Sequence, residues 1–239
     1  MSFSPLSRFL FFMLFVLFAN FCDARINFVH VPKCGGTTIY ELLKENFPES
    51  EIYPHRKVKK QRVMSYKFQD MQDVFREFPN IHHKVVAGHF PMWFFLEKDK
   101  KFDQSFFFTT LRDPIERVLS HYRDLLRNAK KEVSPLIISP NMMCKMFCSD
   151  TTLEGEELLQ NSIQNLDRMD YVIFMDTFDR DVAHLFYKLN LKLGKRVPKF
   201  NATEKTYVSP EIISKLKELN ELDIRFYEYA KQRFQKREH

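Results

Sequence analysis

Residues 28–38 read Phe-Val-His-Val-Pro-Lys-Cys-Gly-Gly-Thr-Thr, and their types suit one task, holding an anion. Lys33 brings a full positive charge. Gly35 and Gly36 let the backbone curl so that successive N–H groups point one way, and Thr37 and Thr38 add hydroxyl donors. A helical pattern opens at Ile39-Tyr40-Glu41-Leu42-Leu43, so the positive end of a helix dipole faces the same spot. The lysine precedes the glycines. In a Walker A loop it follows them, directly before Ser or Thr, so this cradle suits a phosphate-like group and is a poor match to an ATPase.

A second charged segment, Leu111-Arg112-Asp113-Pro114, closes an apolar run from Ser105 to Leu111. Asp113 is a good N-cap and Pro114 a good first helical residue for the pattern Ile115, Val118, Leu119, Tyr122, Leu125. Arg112 therefore stands at the carboxyl end of a strand, where open α/β sheets bind ligands. Ser120 lies on the helix that follows. Arg117 is one turn beyond Asp113, and the spacing predicts an ion pair between them. A third candidate is His89, after Gly88 and a short strand over Lys84 to Ala87. An imidazole with an ordinary pKa of ~6.5 can take a proton near neutral pH. His30 competes for that role, although it falls inside the first strand. His82 and His83 are expected at the far end of theirs. No carboxylate or cysteine completes a metal set with these histidines, so no metal is expected.

The elements that position these residues alternate. A strand over Ile26 to Val31 leads into the cradle. Phe68, Met71, Val74, Phe75 and Phe78 have helical spacing. Leu158, Leu159, Ile163 and Leu166 mark another helix, Asp170 to Asp176 a strand, and Phe178 to Leu189 a further helix. Ser209-Pro210-Glu211 starts a last one, expected to continue toward the C-terminus. Alternation predicts a mainly parallel sheet with helices on both faces. The 239 residues are enough for one α/β domain, and no boundary is read after residue 25.

The two anion motifs together, Pro32-Lys33-Cys34-Gly35-Gly36-Thr37-Thr38 and Leu111-Arg112-Asp113-Pro114 with Arg117, Ser120 and Tyr122, resemble the PAPS-dependent sulfotransferases. The likeness is greatest to the carbohydrate branch that holds the heparan sulfate 2-O and 6-O enzymes and the chondroitin and dermatan enzymes. It covers nearly the whole chain after residue 25. It implies a three-layer α/β fold of P-loop NTPase-like type. It also implies PAPS as sulfuryl donor, with the 5′-phosphosulfate on residues 33–38 and the 3′-phosphate on Arg112 and Ser120. Several members carry a catalytic histidine where Gly88-His89 falls, which makes His89 the expected base, and Lys33 is expected beside the leaving phosphate. Residues 171–179 resemble a later strand and helix of the family, and Leu222 to Tyr227 its C-terminal helix. Cys34 departs from the pattern, since the family commonly has Thr there. A backbone N–H remains, one hydroxyl is lost and a thiol is gained.

The formal net charge of +6 suits an anionic donor and a polyanionic acceptor, but proteins with neither role share such a balance. No nucleic-acid partner is expected. Arg8 followed by the apolar run Phe9 to Phe21 reads as a targeting segment over residues 1–24. The run falls short of the ~20 residues that span a bilayer, and no stem separates it from the first strand. A cleaved signal peptide is favoured over an uncleaved Golgi-type anchor. Asn201-Ala202-Thr203 is a glycosylation sequon, consistent with a secretory lumen. Cys144 and Cys148 share a helical face and are expected as two thiols, not as a long-range staple.

The acceptor is the least determined part. The basic run from His55 to Arg62 is either a polyanion patch or a solvated loop. Trp93, Phe94 and Phe95 form either a sugar-stacking wall or core. Lys199 to Thr203 is placed by the resemblance on the cofactor side. Two other functions stay open. One is sulfation of a protein tyrosine or small hydroxylated molecule. The other is a secreted polyanion-binding protein without turnover.

Overall fold

The computed structural model describes residues 24–53, 82–99, 102–128, 134–194 and 207–235. Nearly all of the expected leader, the expected helix around Phe68 to Phe78, the basic run from His55 to Arg62 and the segment Lys199 to Thr203 lie outside the described residues.

Five strands form one sheet: β1 (Ile26–Val29), β2 (Ile52–Tyr53), β3 (Val85–Gly88), β4 (Phe106–Leu111) and β5 (Tyr171–Phe174). Their order is β2-β3-β1-β4-β5, and every pairing is parallel. Phe28 sits opposite Ala87 on one side and Phe108 on the other. The cradle strand is thus the centre of the sheet. Eight α-helices accompany the strands among the described residues: α1 (Gly36–Lys44), α2 (Met92–Lys98), α3 (Pro114–Asn128), α4 (Met142–Phe147), α5 (Gly155–Leu166), α6 (Phe178–Lys188), α7 (Pro210–Leu219) and α8 (Glu221–Phe234).

The alternation of side chains along each strand decides the layers. Phe28, Phe106, Phe108 and Ile173 face one way and pack with Ile39, Leu42 and Leu43 of α1 and Val182, Leu185 and Phe186 of α6. Val29, Phe107, Val172 and Phe174 face the other way, against α2, α4, α5 and α8. This is the expected three-layer α/β architecture. Because both faces are covered, the strands are apolar at nearly every position, as parallel strands require. Phenylalanine is the main filler. Phe28, Phe106, Phe107 and Phe108 are all buried, and burying such a ring contributes about 1.5–3 kcal/mol.

Two boundaries differ from expectation. β1 stops at Val29, so His30 and Val31 belong to the approach to the cradle. The C-terminal region is two helices, not one. Asn220 ends α7 and starts α8, and its buried amide donates back to the Leu216 carbonyl at 2.8 Å while its oxygen accepts from Asn141 N–H at 3.2 Å. That side chain ties the break between α7 and α8 to the start of α4.

Candidate active site

The cradle is built where β1 ends. Lys33 (φ 69°) and Gly35 (φ 81°) both adopt left-handed backbone, which reverses the chain twice within three residues. For lysine that conformation costs roughly 1–2 kcal/mol. α1 starts at Gly36, so Gly36, Thr37 and Thr38 form its first turn, and no side chain caps that end. The Thr38 N–H turns back to the Gly35 carbonyl at 3.0 Å, which leaves the N–H groups of Gly36 and Thr37 at the tip of the helix for a ligand or solvent.

The two glycines are required for different reasons. A Cβ on Gly35 would meet Met175 Sδ at 2.7 Å and would sit on a positive φ. Gly36 has ordinary helical backbone, but a Cβ there would lie 1.8 Å from His30 Nε2. The second glycine makes room for an imidazole. Thr38 is buried, and Thr37 is half-exposed at the helix end.

Cys34 is fully buried, and its thiol points away from the ligand side toward Pro32 O at 3.7 Å. Burial pushes that thiol up to about 12, against the opposing charges of Arg117 and Arg112, so it stays protonated. The Arg112 backbone N–H is directed at its sulfur, which ties the two anion motifs together through protein. The added thiol expected from sequence is therefore a packing group.

Lys33 Nζ lies 2.9 Å from Asp124 Oδ2 on α3. Arg112 extends from the end of β4 and pairs with Glu116 at 3.2 Å while remaining partly exposed. Asp113 caps α3 as expected, accepting Glu116 N–H at 2.9 Å. Ser120 is half-buried on the second turn of α3. The expected Arg117–Asp113 ion pair is not formed. Arg117 is completely buried, and none of its three guanidinium nitrogens has a hydrogen-bond partner among the described residues. The physical reason is that Asp113 spends its carboxylate on the helix N-terminus while α3 turns Arg117 toward the interior. There its charge acts on Cys34 and on the buried Asp223 of α8. Asp223 in turn accepts the N–H groups of Met143 and Cys144 at 3.0 and 2.8 Å, capping α4.

His89 follows β3 and faces the cradle from the neighbouring strand. Its Nδ1 is 2.8 Å from the His30 carbonyl oxygen. A carbonyl only accepts, so Nδ1 carries the proton and Nε2 keeps its lone pair. Burial pushes the His89 imidazole down to about 4, helped by the charge of Lys33 and opposed by the His30 hydrogen bond. The ring is neutral at physiological pH, with one basic nitrogen. His82 is exposed, and His83 lies beside Tyr53 with ring centroids 5.4 Å apart. Among the described residues no group of His, Cys, Asp or Glu could hold a metal ion.

Phe94 and Phe95 are core, fully buried against Phe90 and Phe107, while Trp93 of the same helix is only partly buried. Cys144 and Cys148 are free thiols, both buried. Asp124 and the stacking of His30 on His89 were not foreseen. Asp124 carries a signal that could have found it, because it stands one helical turn beyond Ser120.

The residues brought together at this end of the sheet can hold a phosphate-like group at Lys33 and the N-terminus of α1. They can place a second one near Arg112, with a neutral base beside the first. That donor set fits a nucleotide carrying two separated anionic groups.

The chain belongs to the sulfotransferase family, whose family model matches residues 21–175. It is 23% identical over 281 residues to heparan-sulfate 6-O-sulfotransferase 1-B of Danio rerio, with 89% of this chain and 66% of that protein covered. It is 24% identical over 280 residues to heparan-sulfate 6-O-sulfotransferase 1 of Mus musculus, covering 90% of this chain and 66% of the relative. The chain thus spans about two thirds of the length of these curated relatives. A solved sulfotransferase from Alicyclobacillus acidocaldarius superposes with a TM-score of 0.47 at 16% identity, over 88% of this chain and 96% of that one. No helix among the described residues is long and apolar enough to cross a membrane.

Proposed function

We propose that this chain transfers a sulfuryl group from PAPS to a hydroxyl of a glycosaminoglycan-like polysaccharide in the secretory pathway. Residues 1–24 would be its leader and residues 25–239 its catalytic domain. The observation that carries the reading is the neutral His89, with Nε2 unprotonated, beside a cradle that presents Lys33 and an uncapped helix N-terminus.

Bound PAPS supplies an activated sulfuryl group whose leaving side is a phosphate. The chain's own residues do the rest. Lys33, the N–H groups of residues 34–37 and the hydroxyls of Thr37 and Thr38 would hold the 5′ side and neutralise charge growing on the leaving oxygen. Arg112 would turn from Glu116 to the 3′-phosphate, with Ser120 adding a hydroxyl. His89 Nε2 would take the acceptor's O–H proton as that oxygen bonds to sulfur. Burial is the main cause that depresses His89, and an anion seated on Lys33 would offset only the smaller contribution of the lysine charge. The positive balance of the chain, +6, favours an anionic acceptor, and the relatives are heparan-sulfate 6-O-sulfotransferases.

The test is labelled PAPS with a panel of desulfated glycosaminoglycans, phenols and tyrosine peptides. Label in a glycosaminoglycan is the expected result. Label in phenols or peptides alone would move the acceptor class. PAP binding with no transfer to any member would make the chain a binding protein. Thermal shifts check the donor. PAP should stabilise the protein more than adenosine 5′-phosphosulfate does, and Arg112→Ala should remove the difference.

A further inference from the structure

A second imidazole lies beside His89 with no task in that scheme. His30 is 6% exposed, just past the end of β1. Its ring is stacked between Phe28, centroids 5.1 Å apart at 11°, and His89, 4.0 Å apart at 30°. Its carbonyl accepts the His89 Nδ1–H at 2.8 Å. On its remaining side Nε2 occupies the space a Cβ of Gly36 would need. One residue therefore touches the base by face and by backbone, and touches the cradle helix by edge.

We propose that His30 is a positioning residue for His89: its carbonyl fixes the tautomer, its ring fixes the plane, and Gly36 locks that ring against the cradle. The proposal rests on His89 as the base. When Nε2 takes the acceptor proton, the new positive charge lies over the face of His30, which favours a cation only while His30 is neutral. Burial first, then the charges of His89 and Lys33, hold the His30 imidazole well below its ordinary range, so it is neutral. The charged side chain acting on both rings is Lys33 of the cradle, while His30 acts on His89 through its backbone carbonyl. The device also links donor and acceptor geometry. A displacement of α1 at Gly36 reaches the base through a single ring.

The experiment compares His30→Ala, His30→Asn, Gly36→Ala and the double variant His30→Ala/Gly36→Ala with the parent protein. Transfer from PAPS to desulfated heparan sulfate is measured against pH, and PAP affinity by calorimetry. His30→Ala should lower kcat by about 10–100-fold, the scale of a base misplaced by an ångström, with the Kd for PAP changed less than about threefold. Water then reaches His89, so the acid limb of kcat/KM should move up by about one pH unit. His30→Asn, flat and polar, should lose less. Gly36→Ala should be impaired, and adding His30→Ala should restore part of the loss. Parent kcat and an unmoved acid limb in both His30 variants would overturn the proposal. So would loss of PAP affinity in step with kcat, which would make His30 a part of the cradle. Should His30→Ala fail to fold, His30→Asn and Gly36→Ala carry the same readouts. His89→Gln separates the two layers. If it keeps parent turnover, the base assignment fails and this proposal with it. If it is inactive while the His30 variants are normal, only the role of His30 is lost.

Discussion

Lys33 Nζ stands 2.9 Å from Asp124 Oδ2, so the lysine of the anion cradle is held by a carboxylate from α3. The same carboxylate also receives Arg127 at 3.0 Å. A negative charge beside an anion site competes with the ligand. Asp124→Asn should therefore raise PAP affinity by about threefold to tenfold at low salt and by less at high salt. Burial alone would raise the Asp124 carboxyl, but the Lys33 hydrogen bond and the charges of Lys33, Arg127 and His121 outweigh it and hold it below its ordinary value. A depressed carboxylate keeps its pairing at every pH above the unfolded value of ~3.9 and loses it only as pH falls through the lower folded pKa. The competition should thus be constant between about pH 5 and 8. Calorimetry with PAP checks this, and weaker binding in Asp124→Asn would show that Asp124 aims the lysine and does not oppose the ligand.

Lys33→Ala separates binding from chemistry. An ammonium at the leaving oxygen matters most as the bond breaks, so kcat should fall by about 10²–10³. PAP affinity should fall less, because the N–H groups of the cradle and Arg112 remain. Lys33→Arg should rescue poorly, since a planar fork is not a compact charge. Single-turnover kinetics at saturating PAPS decides it. A variant that bound PAP far more weakly yet turned over normally would make Lys33 an anchor only.

Arg117 is a buried cation with no hydrogen bond among the described residues, and its field acts on Cys34 and Asp223. Arg117→Ala removes a fully buried side chain and leaves Asp223 uncompensated. The expected loss is about 3–5 kcal/mol, which for a chain of this size lowers Tm by roughly 10 °C. Arg117→Met leaves Asp223 equally uncompensated but keeps most of the volume, so it should be tolerated better by the cost of the cavity. Thermal melts of the two variants check the order. Equal losses would assign the cost to charge and not to volume.

The thiols give a direct solution test. Burial pushes Cys34 up to about 12, and burial with the Asp223 carboxylate pushes Cys144 higher still. Thiolate is the reactive form, so neither should be alkylated by iodoacetamide at pH 8 in the folded protein, and both should be in denaturant. Peptide mass spectrometry reads each position. Rapid labelling of Cys34 in the fold would contradict its placement behind the cradle.

Much of this arrangement is legible in the chain itself. Apolar runs ended by Pro, Gly or Asp mark the strands and the starts of α1 and α3, and the anion motifs fall at strand ends as read. The losses are of another kind. Arg117 and Asp113 have the right spacing to pair, but a helix cap already uses Asp113. Gly36 looks like a turn glycine, whereas its reason is a ring six residues earlier that only tertiary packing brings there. Asn220 breaks a helix with no Pro or Gly to announce it. Asp124 reads as one more charge on an amphipathic helix until a loop from another part of the sheet arrives beside it. Local rules locate elements well and long-range partners poorly.

The central place of β1 sets an order of events during synthesis. Its two neighbours, β3 and β4, come from residues 85–88 and 106–111, and the Val29 carbonyl waits for the Thr109 hydroxyl, 80 positions downstream. The cradle residues leave the ribosome early, but the sheet that shapes them cannot close until β4 has followed. Asp223, which balances Arg117 behind the cradle, arrives only after all five strands have been made. Non-local parallel pairing of this sort is slow, and until it is complete the Phe-rich strands stand unpaired. The nascent chain therefore depends on being shielded over that interval, and a truncation before α8 should yield an aggregating chain, not a smaller enzyme.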